Sequence, residues 1–188
     1  MDLAGKKIVL GLTGGVACYK AAMLARELGR AGATVHVVMT EAATHFMTAV
    51  TMQALTGNPV YTDQWDARMD NNMPHINLTR DADAVVIVPC STDFIAKLAH
   101  GQCDDLLSTL CVARPARVPL MVAPAMNVEM WQNSATQRNV RQIREDGILL
   151  LGPDAGAQAC GEVGEGLDRG PPSTGGLFFA QKHPPPGR

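Results

Sequence analysis

The segment Lys7-Ile8-Val9-Leu10-Gly11-Leu12 is apolar at nearly every position, breaks at Thr13-Gly14-Gly15 and passes straight into a helical pattern. A strand without polar alternation is one covered on both faces, the habit of parallel sheets flanked by helices. After the break, Ala17, Ala21, Leu24, Leu28 and Ala31 recur at helical spacing, and Gly32 closes the helix. The same order repeats along the chain. Thr34 to Met39, rich in β-branched residues, predicts a second strand, and Glu41 to Leu55 a helix stopped by Gly57-Asn58-Pro59. Ala84 to Val88 predicts a third strand ended by Pro89, followed by helices through Ile95–Leu98 and Leu106–Leu110. Val118–Val122 and Ile148–Leu151 predict a fourth and a fifth strand, with helix-forming sequence between them. Such alternation predicts an α/β fold, a three-layer Rossmann-like sandwich with a mostly parallel sheet.

In sheets of this kind ligands bind outside the carboxyl ends of the strands. Four predicted strand ends carry polar or glycine-rich loops, at residues 13–15, 40–44, 89–93 and 123–127. Two further segments lack periodicity. Residues 57–74 form a long polar connection, of a length usually reserved for function or motion. Residues 152–170 are so rich in glycine that they predict a flexible loop and not a packed element, and a Gly/Pro-rich tail over 171–188 is expected to lack order.

With 188 residues, 46% of them hydrophobic and 18% charged, the chain fits one globular domain and not a disordered one. A formal charge of −2 gives no electrostatic reason to expect nucleic acid or an anionic membrane as partner. No apolar run reaches the roughly eighteen residues a membrane span needs, and the N-terminus does not read as a signal peptide. The five cysteines, at 18, 90, 103, 111 and 160, form no C-x-x-C pair. That argues against a disulfide scaffold or a metal site and points to a reducing cytoplasm. Cys160 stands apart, because its neighbours are glycines and acids.

Several residues can carry chemistry. Gly14, Gly15 and Val16 lie between a strand and a helix, where backbone N–H groups approach a phosphate, although the G-x-G-x-x-G spacing is not met. Thr40 supplies a hydroxyl to the same end of the sheet or merely caps the helix that follows. Ser91, Thr92 and Asp93 repeat that choice after the third strand. His75, in a polar stretch, is either a surface residue or a general base with a pKa near neutrality. Pro124-Ala125-Met126-Asn127 ends a buried strand with an amide that can hold a carboxylate or serve as an N-cap.

Pro124-Ala125-Met126-Asn127 with Met130-Trp131, the upstream His75-Ile76-Asn77-Leu78, and Ala159-Cys160-Gly161 together resemble the homo-oligomeric flavin-containing cysteine decarboxylases. The stretches Leu3 to Gly11, Gly14 to Ala17, Thr40 to Ala43 and Gly152 to Asp154 resemble the branch of that family serving coenzyme A biosynthesis. The resemblance covers about residues 3–166 in order. It implies a flavoprotein-type domain over 1–170 with a substrate flap at about 153–168. It implies FMN as cofactor, its phosphate held by Gly14, Gly15, Val16 and Thr40, its ring lined by Ser91, Thr92, Asp93 and Ala125. His75, Asn127 and Cys160 become the catalytic residues, with Met126 and Ala159 beside the substrate. The substrate implied is phosphopantothenoylcysteine, the assembly a trimer or a dodecamer of trimers. The reaction implied is transient oxidation to a thioaldehyde, loss of CO2 to an ene-thiol, and re-reduction with Cys160 as proton donor.

After Gly164-Glu165-Gly166 the family pattern is lost, and the chain is too short to include the ligase domain that often follows. Three other readings share parts of the pattern: a peptidyl-cysteine decarboxylase, a flavin prenyltransferase and a non-catalytic FMN-binding regulatory subunit. Without the resemblance, the residues fit an NAD-binding dehydrogenase with Glu41 on the ribose.

Overall fold

The computed structural model describes residues 2–65, 74–152, 155–157 and 163–165. Six parallel strands, β1 (Lys7–Leu12), β2 (Thr34–Met39), β3 (Val60–Tyr61), β4 (Ala84–Cys90), β5 (Leu120–Pro124) and β6 (Leu149–Leu150), lie in the order β3-β2-β1-β4-β5-β6. Strand order reverses between β1 and β4, which opens a crevice at their carboxyl ends.

Both faces are covered, as the unbroken apolar runs require. Ile8, Leu10 and Leu12 face one layer, where they meet Ala21, Leu24 and Leu28 of α1 (Cys18–Arg30) and Met52 of α3 (Ala49–Thr56). Val9, Val85, Ile87 and Val122 face the other. There they meet Phe94 and Ile95 of α5 (Thr92–His100), Leu106, Leu107 and Leu110 of α6 (Leu106–Ala113), and Val140 and Ile143 of α8 (Ser134–Glu145). Gly11 shares that second face. A Cβ there would stand 2.5 Å from Ile87 Cδ1 and 2.7 Å from Leu107 Cδ1, so the missing side chain is what lets α6 seat on the sheet.

The structure departs from the sequence expectations in four places. The helix expected over Glu41–Leu55 is two, α2 (Glu41–Thr44) and α3, because Thr48 takes an extended conformation and accepts the Thr51 N–H at 3.2 Å as a new N-cap. The polar connection after residue 57 contains β3, held by parallel pairing of Val60 and Tyr61 with Val37 and Val38, and is followed by α4 (Pro74–Arg80). Pro89 does not end β4. Proline lacks an N–H but keeps its carbonyl, and the strand continues to Cys90 with a register shift after Ile87.

Fourth, the glycine-rich loop holds a paired element, β7 (Ala155–Ala157) antiparallel to β8 (Val163–Glu165), since ladder hydrogen bonds need only backbone groups. β8 lies against α7 (Val128–Gln132). The tail over 171–188 and the rest of the expected flap lie outside the described residues. No helix among the described residues is long and apolar enough to cross a membrane.

Candidate active site

The loops that follow β1, β2, β4 and β5 are tied to one another at the carboxyl end of the sheet. Thr40 N–H donates to the Leu12 carbonyl at 3.0 Å, and Ala125 N–H to the Cys90 carbonyl at 3.0 Å. The Thr92 hydroxyl contacts Met126 Sδ at 3.1 Å. Between them sits Thr13, 1% exposed, whose Oγ1 donates to the Pro89 carbonyl and accepts from Ser91 N–H, both at 2.8 Å. A buried N–H or carbonyl left unpaired costs about 1–3 kcal/mol, so this join is well defined. Sequence reasoning missed Thr13. A threonine before two glycines reads as a turn, and its burial between two loops is visible only in three dimensions.

Gly14 and Gly15 differ. A Cβ on Gly14 would stand 2.7 Å from Ala42 Cβ, so the close approach of α2 demands glycine. A Cβ on Gly15 would meet nothing nearer than Pro89 Cγ at 3.9 Å. Packing gives no reason for glycine there, whereas a ligand pressed against the backbone does. α1 starts just beyond with Ala17 as N-cap, no side-chain cap and no acid in its first turn, so its positive end is not neutralised locally. Cys18 Sγ donates to the Thr13 carbonyl at 3.3 Å. Burial pushes its thiol up to about 11, which keeps it a neutral donor. The turn therefore fits a phosphate group.

The cap readings and the ligand readings prove compatible. Thr40 Oγ1 accepts from Ala43 N–H at 3.2 Å and retains its own hydrogen to donate. Ser91 Oγ caps α5 by accepting from Phe94 N–H at 3.3 Å, and the exposed Asp93 lies in that helix's first turn. Asn127 Oδ1 caps α7, accepting from Met130 N–H at 2.9 Å. Among the described residues its Nδ2 makes no hydrogen bond, so one half of the amide holds the helix and the other half is free to donate. Ala125, Met126 and Asn127 are all half-buried beside it. Cys90, next to this cluster, is no nucleophile: full burial drives its thiol well above the ordinary value.

His75 is not joined to this cluster. It stands near the start of α4, half-buried, and its backbone carbonyl accepts from Thr79 Oγ1 at 2.9 Å. α4 packs against α6, and no hydrogen bond among the described residues links His75 to Asn127. Ala159 and Cys160 fall between β7 and β8 in sequence and lie outside the described residues.

Beside α2 an open cleft of about 390 Å³ is lined by Glu41, Asp63, Asp104 and Asp105 among others. Lys97 bonds to Asp104 at 2.9 Å and to Asp105 at 2.8 Å. Burial alone would lower the lysine, yet these bonds outweigh it and hold the ammonium above its usual range. The wall is acidic, which suits the polar side of a site better than a phosphate pocket.

A model of the Flavoprotein family matches residues 1–170. The coenzyme A biosynthesis bifunctional protein CoaBC of Escherichia coli (strain K12) is 48% identical over 166 residues, covering 88% of this chain and 40% of that protein. The chain thus spans about two fifths of that curated relative. Among solved structures, a cysteine-to-serine mutant of a PPC decarboxylase complexed with pantothenoylaminoethenethiol superposes with TM-score 0.82 and 34% identity, over 93% of this chain and 98% of that one. The FMN-dependent cysteine decarboxylase SpaF gives 0.77 and 32%, over 87% and 91%.

Proposed function

The chain belongs to the Flavoprotein family, and from that premise we propose that it binds FMN and decarboxylates phosphopantothenoylcysteine to phosphopantetheine. The observation that carries this reading is Asn127, which projects a free amide N–H from the end of the four-loop cluster while its oxygen is pinned by α7. Likeness to a PPC decarboxylase across almost the whole length of that protein supports it.

Gly14, Gly15, Val16 and Thr40 hold the phosphate of FMN, and Ser91, Thr92, Asp93 and Ala125 line its ring. Bound FMN supplies the two-electron redox chemistry without which a cysteine-derived carboxylate has no electron sink. Asn127 Nδ2 donates to the substrate carboxylate and, because Oδ1 is already spent, cannot turn its acceptor toward that anion. Met126 and Ala159 pack beside the substrate and exclude water. His75 orients or takes a proton, and the Cys160 thiol delivers one at the end of the cycle. β8, which follows Cys160 in the sequence, lies against the helix that Asn127 caps.

No hydrogen bond among the described residues ties His75 to the cluster, and we place the complete site at a contact between copies. Val16, just before α1, and Tyr19 and Met23 on it are each about half exposed, and Phe46 and Val50 add to the uncovered apolar surface. Such a surface suits a homo-oligomer. A trimer, alone or gathered into a dodecamer, is the assembly proposed.

Purified protein is expected to be yellow, with a flavin absorbance band, and to release CO2 from phosphopantothenoylcysteine with a matching mass loss. Flavin binding without CO2 release would favour the regulatory reading, and turnover of a peptide C-terminus alone the peptidyl-cysteine one. Asn127→Asp keeps the cap oxygen but replaces the free N–H donor with charge. It is expected to retain flavin and fold while losing about a hundredfold in turnover, read by steady-state kinetics.

A further inference from the structure

We propose that Thr13 is a positioning residue for the cofactor: its hydroxyl sets the separation of the Gly14-Gly15 turn from the Ser91-Thr92-Asp93 turn. The inference rests on the FMN reading above. Thr13 is 1% exposed, so the side chain is closed to solvent and acts through what it holds. The β1–β4 ladder runs from Ile8↔Ala84 to Gly11↔Ile87 and ends there, while on the other side of β4 its pairing with β5 shifts register between Ile87 and Cys90. Past that point no ladder pair is left, and the link between the two strand ends passes through Thr13. Thr13 takes over there. Its N–H donates to the Pro89 carbonyl at 3.2 Å, and its hydroxyl donates to that same carbonyl while accepting from Ser91 N–H.

One oxygen thus joins the backbone of the turn fitted to a phosphate to the backbone of the turn fitted to a ring. From the other side, Cys18 Sγ holds the Thr13 carbonyl. Every bond is neutral and buried or part-buried, so the spacing does not vary with salt. A ligand that must touch both turns at once gains from having that spacing set beforehand.

The bland alternative is that Thr13 only satisfies two buried backbone groups and contributes to stability alone. Thr13→Val keeps the shape and deletes both hydroxyl bonds, whereas Thr13→Ser keeps both. Titration of FMN into apoprotein, followed by flavin fluorescence, separates the two roles when paired with melting of the apoprotein. Thr13→Ser is expected to bind like the parent, and Thr13→Val at least about tenfold more weakly with an altered flavin band. A Thr13→Val protein that melts lower but keeps the parent Kd overturns the proposal. If Thr13→Val does not fold, Thr13→Cys, which retains longer and weaker bonds, is expected to weaken FMN about threefold, and an unchanged Kd overturns the proposal equally. Absence of FMN binding by the parent protein defeats the underlying cofactor reading and takes this inference with it.

Discussion

The two ends of the sheet are fastened by different chemistry. At the amino ends, Lys6 Nζ meets Asp83 at 2.9 Å and Lys7 Nζ meets Asp81 at 3.8 Å, with all four side chains well exposed to water. At the carboxyl ends the fastening is neutral and buried, centred on the Thr13 hydroxyl. Exposed pairs are screened by salt and contribute roughly 0–1 kcal/mol. Buried neutral bonds contribute comparably, but breaking one leaves an orphan that costs more. The chain thus keeps its geometrically exacting bonds where a ligand must fit and uses tolerant ones where it need not.

The sharpest way to break this contrast uses the adjacent glycines. Gly14→Ala drives a Cβ to 2.7 Å from Ala42 Cβ and is expected to cost about 1–3 kcal/mol of apoprotein stability, measured by denaturant unfolding. Gly15→Ala meets only Pro89 Cγ, at an ordinary contact distance of 3.9 Å, and is expected to leave apoprotein stability unchanged while weakening FMN binding. Equal stability losses for both would show that the two glycines do not divide protein packing from ligand contact.

A smaller effect concerns His36, on β2 close to the Lys7 end. Its Nδ1 is buried and has no partner among the described residues. Burial first, then the charge of Lys7, holds its pKa below the ordinary value of 6.5. A lowered folded pKa means the unfolded chain binds the proton more readily. Stability is therefore full above about 6.5 and falls as pH drops through the folded value. His36→Gln is expected to flatten the melting temperature against pH in that interval. A profile identical to the parent's would discount the group.

The smallest effect belongs to the exposed fastening. The Lys7 backbone N–H, then the Lys6 side chain, hold Asp83 below the usual carboxylate range. Its contribution is present above the ordinary carboxylate pKa and is lost as pH falls through the depressed value. Asp83→Asn is expected to change neutral-pH stability by about 1 kcal/mol or less and to soften the acid-unfolding transition. A larger loss that persists in high salt would place this end of the sheet on the same footing as the other.

What could be read from the sequence follows the range of the interactions involved. Lys7–Leu12 and Ala84–Val88 declare themselves because double burial leaves an unbroken apolar run. Gly32 and Gly57, both at positive φ, also announce their turns locally. β3 stays hidden, since two residues carry no period and the strand exists only through its pairing with β2. Thr48 looks like any helix threonine until its extended backbone makes it a cap. The candidate site divides likewise. Asn127 reads as either cap or ligand-binding amide because a sequence does not say which of its two polar atoms is engaged. Thr13 and Cys18 carry no local signal at all, their partners lying across a turn or on another strand.

The pinned oxygen of Asn127 makes the residue its own spectroscopic probe. With Oδ1 held by α7 the amide plane is fixed, so its two NH2 protons, kept distinct by the partial double bond to nitrogen, keep fixed positions relative to the site. A shift on adding a carboxylate then reports contact at nitrogen and not a rotation of the amide. The chemistry at this position can be followed without substituting any atom of the site.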